Sequence, residues 1–144
     1  FRKVWKESNH PGPIPRTFLM RAVHVAETDE IARQEAEQPL LTSRGLGREG
    51  IANTRIGFKG NSQSPTNQEL GRVFQGMSES FDFWIDNGLA LVGSPETVIK
   101  QLKAQSELCG YDIFCANHRF GTIPQEQSLK SLKLFGEEVI PAFR

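Results

Sequence analysis

"RTFLMRAVHVAETDEIARQEAEQ", residues 16–38, sets the architecture. Its first ten residues, 16–25, are rich in apolar and β-branched side chains and are bounded by turn residues, which is the pattern of a buried strand. Thr28 is placed to cap a helix, and Asp29 and Glu30 favour the positive end of its dipole. Ile31, Ala32, Glu35 and Ala36 then recur at helical spacing, and Pro39 is expected to end the run. A strand feeding directly into a helix is the repeating unit of α/β proteins.

A second such unit lies downstream. "LALVG", residues 89–93, is a short extended lead into "SPETVIKQL". Ser94 is the cap, Pro95 suits the first helical position and Glu96 suits the dipole. Val98, Ile99, Leu102 and Leu108 supply a buried stripe, and Gly110 stops the helix. "YDIFCAN", residues 111–117, is the second strand, and "HRFG" is the turn after it. "PQEQSLKSLKLFGEEVI", residues 124–140, is a final helix with Leu129, Leu132, Phe135 and Val139 as its apolar positions. At the other end, "FRKVWKES" reads as the tail of a helix already under way, and "NHPGPIP" as a loop.

Between the two units the character changes. Residues 42–65, "TSRGLGREGIANTRIGFKGNSQSP", hold five Gly, three Arg and one Lys without a clear period, and read as a long loop. Loops of that length in compact domains are often lids or binding loops. Residues 66–77 and 78–88 read as two short helices, the second closed by Gly88 and carrying Phe81, Phe83 and Trp84 as a packing face. Strands separated by helical crossovers imply parallel pairing and an α/β fold. Two strands are too few for a sheet buried on both faces, so the chain is expected to need further strands.

The 144 residues carry 17 basic and 17 acidic side chains, so charge gives no reason to expect nucleic acid or an anionic membrane as partner. No apolar run approaches the roughly 20 residues of a membrane helix. Cys109 and Cys115 are the only cysteines, at a spacing that matches no common zinc pattern. They read as reduced packing thiols of a cytoplasmic protein, and no metal site is expected.

In parallel α/β folds ligands gather at the C-terminal ends of the strands. That rule selects Met20, Arg21, Ala22 and His24 on the first strand, and Asn117, His118, Arg119 and Phe120 after the second. Alternation puts Met20, Ala22 and His24 on one face and Arg21 on the other. Which face points inward stays open, as does whether Arg21 serves a ligand or a structural carboxylate. Arg44, Arg48, Arg55 and Lys59 could close over an anionic ligand. The Gly93–Ser94 helix start is either a phosphate cradle or a plain cap. "GLGREG" follows a helix instead of a strand, which discounts it as a dinucleotide fingerprint, and "GSPE" is not a nucleophile elbow.

Taken in order, "RAVHVAETDEIA", "ALVGSPETVIKQL", "YDIF" and "SLKLFGEEVIPAFR" resemble the C-terminal part of the luciferase-like flavin-dependent monooxygenases. The resemblance covers nearly the whole chain. It implies the last portion of a (β/α)₈ TIM barrel of about 250 residues or more, with 16–25 and 111–117 as the seventh and eighth strands and a lid-like insertion at about 42–88. It implies reduced FMN and molecular oxygen as cosubstrates, an aldehyde, sulfonate or similar small organic substrate, a flavin reductase as supplier, and a homo- or heterodimer. By position, His24, Asn117 and His118 would be catalytic, Met20, Arg21 and Ala22 would lie at the cofactor, and Arg44, Arg48, Arg119 and Phe120 at the substrate or lid. Relatives place polar or His side chains where this chain has Met20 and Ala22. The loops that hold the flavin phosphate come earlier in the family, so this chain alone is expected to bind flavin poorly and not to turn over. Two other readings share the fold: a deazaflavin-dependent oxidoreductase, and a non-catalytic barrel subunit.

Overall fold

The computed structural model describes residues 1–53 and 80–144, without side chains at 44 and 46–53. Three parallel strands form one sheet: β1 (Phe18–Val25), β2 (Ala90–Gly93) and β3 (Ile113–Asn117), in the order β2-β1-β3. The parallel α/β expectation therefore holds, with one strand more than expected. "LALVG" is too short for a period to show, yet all four residues of β2 are buried, and it pairs with β1 from Ala22–Ala90 to Val25–Gly93. β3 pairs with the other edge of β1, from Phe18–Ile113 to Ala22–Asn117.

The helices are α1 (Arg2–Glu7), α2 (Asp29–Asn53), α3 (Phe81–Asp86), α4 (Pro95–Cys109) and α5 (Gln125–Leu134). A π-turn, Phe135–Val139, and a 3₁₀ turn, Ile140–Phe143, continue α5. The caps follow the sequence. Thr28 Oγ1 accepts the Ile31 N–H, Ser80 Oγ the Phe83 N–H, and Ser94 Oγ the Thr97 N–H. Gly110 closes α4 in the left-handed conformation at φ 59°.

Pro39 does not end α2, which runs on to Asn53. Residues 42–53 are therefore helical instead of loop, while 54–79, including the expected helix at 66–77, lie outside the described residues. Pro39 removes a helical hydrogen bond, at a cost of about 3 kcal/mol. Tertiary packing offsets it: Ala32, Ala36, Pro39 and Leu40 are all buried. The Pro39 carbonyl lies against Gly121, at φ 51°, where a Cβ would collide with it.

The two sheet faces differ. Leu91, Val23 and Val25 pack on Val98, Leu102, Phe135 and Val139 of α4 and the C-terminal helix. On the other face Ala22, Ala90 and Val92 pack under Ala32, Ala36 and Leu40 of α2 and Phe81 and Trp84 of α3. That cover stops at Ala22. Phe18 and Met20, lower on the same face, are 69% and 59% exposed, and their neighbour Ile113 is also exposed.

Two apolar stripes need correction. Leu108 is 86% exposed, and Leu129 and Leu132 point to solvent. The inward positions of the last helix are Ser128, Ser131, Phe135 and Val139. The reason lies on β1. The Thr17 carbonyl accepts from Asp112 and Ile113, and the Ala26 N–H donates to Gly93, so odd-numbered backbone groups of β1 face β3. Val25 extends past the end of β3, and its N–H would be unpaired in the core. Ser131 Oγ accepts it at 2.8 Å, so a hydroxyl takes the inward place and the leucines turn out.

Candidate functional site

A buried polar cluster lies at the C-terminal end of the sheet. His24 is fully buried, and its Nε2 is 2.7 Å from Glu35 Oε2 on α2. A carboxylate only accepts, so Nε2 carries the hydrogen. Opposite, His118 is 7% exposed, and its Nδ1 is 2.9 Å from Ser131 Oγ. Ser131 Oγ accepts from Val25 and keeps both a hydrogen and a second lone pair, so its bond to His118 Nδ1 serves either tautomer of the ring. Among the described residues, His24 Nδ1 and His118 Nε2 are buried without a partner. Burial, with a smaller contribution from the charge of His24, pushes the His118 pKa down to about 4. His118 is thus a neutral imidazole at neutral pH. Its ring edge rests on Phe135, 5.1 Å between centroids, and Ser128 Oγ donates to its carbonyl at 2.7 Å.

The other selected residues separate. Asn117 Oδ1 accepts the Arg119 N–H at 3.1 Å, shaping the turn after β3. Arg119 points to solvent, and Phe120 is 6% exposed in the core under α2. Met20 and Ala22 share the face of His24. Arg21 lies on the opposite face, so the three residues assigned to the cofactor do not meet in one place. Among the described residues the Arg21 guanidinium binds no carboxylate. Its Nε donates to the Gly88 carbonyl at 2.7 Å and its Nη1 to the Met20 carbonyl at 2.9 Å. Arg44 and Arg48 sit within α2, their side chains outside the description, and Arg55 and Lys59 lie outside the described residues.

The Gly93–Ser94 helix start is an anion site, and the chain fills it itself. Asp29 Oδ1 accepts the Ser94 N–H at 2.6 Å, and Oδ2 accepts the Thr97 hydroxyl at 2.9 Å. The Ser94 N–H, ahead of the Thr97 and Ser94 hydroxyls and the Lys100 charge, holds the Asp29 carboxyl below its ordinary range despite partial burial. A Cβ on Gly93 would sit 2.8 Å from that same Oδ1. A plain cap plus an internal carboxylate is the outcome here, and no space is left for a phosphate.

Glu35, Ser131 and Asp29 carry the site's polar contacts, and sequence reasoning gave none of them a role there. Glu35 had a visible signal, an acid between Ala32 and Ala36 on the apolar stripe of α2. Ser131 had none. Among the described residues, no group of three His, Cys, Asp or Glu could hold a metal ion, and no helix is long and apolar enough to cross a membrane.

No family model and no curated protein matches the chain. Solved structures do. The monooxygenase RslO1 from Streptomyces bottropensis superposes with a TM-score of 0.63 at 20% identity, over 99% of this chain and 36% of its own. The oxygenating constituent of 3,6-diketocamphane monooxygenase from Pseudomonas putida, a type II Baeyer-Villiger monooxygenase solved with FMN, gives 0.61 at 21% identity, over 97% of this chain and 37% of its own. Apo-MsnO8 gives 0.53 at 23%, over 98% and 39%. The chain has the fold of part of these proteins and spans a little over a third of their length.

Proposed function

We propose that this chain is the C-terminal part of a (β/α)₈ barrel of the luciferase-like flavin-dependent monooxygenases, which use reduced FMN and oxygen to oxidise a small organic substrate. One observation carries the reading: nearly the whole chain superposes on about a third of two monooxygenases, one of them solved with FMN. A parallel sheet is normally covered on both faces, and here Phe18, Met20 and Ile113 leave an apolar face open. In a closed barrel that face would line the interior, with Met20 and Ala22 toward the cofactor.

The residues fit half of FMN. Met20 offers an apolar contact for a flavin ring, while the Gly93–Ser94 anion site holds Asp29. The phosphate would therefore be held elsewhere in the complete barrel. When bound, the flavin supplies the redox chemistry with oxygen. This chain's own part would be to exclude water with its apolar face and to present Asn117 and Arg119 at the strand ends, where polar groups can meet a developing charge. His24 and His118 are sealed in the core, and they would act by holding the ends of β1 and β3 in place. Their burial favours the non-catalytic barrel subunit as the second reading.

FMN fluorescence titration tests the proposal, with the 144-residue chain alone and co-produced with the polypeptide encoded before it. Stoichiometric quenching is expected only in the combined protein. Tight binding by the chain alone, or an upstream sequence without β/α units, refutes the reading. Flavin binding without substrate oxidation supports the non-catalytic subunit.

A further inference from the structure

The open face of the sheet carries two sulfurs side by side. β1 and β3 pair Met20 with Cys115, between the Phe18–Ile113 and Ala22–Asn117 pairs. Paired residues of neighbouring strands point to the same face, about 5 Å apart. A thioether and a thiol therefore stand together below Ala22, where the cover of α2 and α3 stops. Met20 is 59% exposed, and Cys115 is a free cysteine of intermediate exposure, so both can be met from the open side. Thiols and thioethers each take up an oxygen atom from peroxides. The other cysteine, Cys109, is free and more exposed, and it ends α4 on the opposite face of the sheet.

We propose that Met20 and Cys115 form an oxidation site, which takes up oxygen atoms from hydrogen peroxide made inside the barrel when substrate is missing. The inference rests on the flavin reading, which turns this face inward with Met20 toward the cofactor. Oxygen that meets reduced FMN without substrate takes two electrons and two protons and becomes hydrogen peroxide. At Met20 the peroxide O–O bond breaks and an S–O bond forms. The thioether loses two electrons to become the sulfoxide, and water leaves. The Cys115 thiol reacts with a second peroxide in the same way, giving a sulfenic acid and water. Each added oxygen puts a polar group on an apolar surface, where burial under a ring then costs free energy. Oxidation thus weakens flavin binding and brakes oxygen use without substrate. The brake is reversible, because thiols and methionine sulfoxide reductases remove both oxygens.

The test uses the chain co-produced with the polypeptide encoded before it, with FMN binding measured first by fluorescence. Reduced FMN and oxygen are then supplied without substrate, and catalase in solution destroys peroxide that escapes. Peptide mass spectrometry with dimedone trapping reads each sulfur. Met20 and Cys115 are each expected to gain one oxygen while Cys109 stays unchanged, the reverse of the order that exposure to bulk peroxide would give. FMN binding is expected to weaken at least about tenfold. Met20→Leu combined with Cys115→Ala is expected to keep its FMN affinity through the same treatment. FMN binding with Met20 and Cys115 left unoxidised, or with Cys109 oxidised as fast as either, overturns the proposal and leaves the flavin reading standing. Absence of FMN binding overturns the flavin reading and this proposal with it. Should the double variant fail to fold, undiminished FMN affinity in the oxidised parent overturns the proposal.

Discussion

Ser131→Ala isolates one hydroxyl that joins a helix to a strand end. Ser131 is 0% exposed and Val25 1%, so water does not replace what is lost. The Val25 N–H becomes an unpaired buried donor, worth about 2 kcal/mol. Losing the bond to His118 Nδ1 adds about 1 kcal/mol. Alanine returns about 0.5 kcal/mol through its better helix propensity. The net loss is about 2.5 kcal/mol, a large share of the roughly 5–15 kcal/mol that holds a domain together. With a urea slope of about 2 kcal/mol/M, the midpoint should fall by about 1.2 M. Urea unfolding followed by far-UV circular dichroism measures this, and hydrogen exchange at the Val25 amide localises it. Leu132→Ala, at a neighbouring position that is 51% exposed, removes more atoms and should cost less than about 1 kcal/mol. If Leu132→Ala costs more than Ser131→Ala, the inward face of the last helix has been assigned wrongly and the argument fails.

Three further outcomes follow from the same contacts. The folded state holds His118 at about 4, below the ordinary value near 6.5. Its contribution is therefore complete above about pH 6.5 and lost as pH falls toward 4; denaturation curves of His118→Phe should be flatter across that window. Asp112 is held at about 2, chiefly by the Thr17 N–H, then by Arg2 and the Thr17 hydroxyl. The clamp of α1 on the start of β1 should persist above about pH 4 and loosen as pH falls through 2, seen as faster exchange at the Thr17 amide. Gly93→Ala places a Cβ 2.6 Å from the Thr97 methyl and 2.8 Å from Asp29 Oδ1. It should lower the thermal midpoint more than Gly12→Ala, where the surroundings are open, and calorimetry would decide.

What was legible in the sequence was local. The Ser94-Pro95-Glu96 start and the Gly110 stop depend on neighbours within a turn, and both appear as read. The β1 strand and its parallel partner β3 were legible because apolar runs between turn residues survive burial. Pro39 misled because its local cost is real, and only the distant turn at Gly121 and the core under α2 show why it is tolerated. Leu129 and Leu132 misled for the opposite reason. Their apolar character fits an inward face, but an unpaired strand N–H elsewhere outranks it. Asp29 read as a dipole residue of its own helix, when its carboxylate also serves the helix that starts 65 residues later. The resemblance groups Arg21 with Met20 and Ala22, while strand alternation, legible in the sequence, places it on the other face.

The Ser131 hydroxyl also acts as an end-stop. It occupies the slot on β1 that a longer β3 would fill, so β3 cannot gain residues beyond Asn117 without pushing the last helix outward. Insertions after this strand are therefore channelled into the turn at 118–123, while the strand keeps its length. A designer who wants to vary the rim of this fold has a fixed ledge at Asn117 and, past it, side-chain freedom at Arg119 and Thr122, between the buried His118, Phe120 and Ile123.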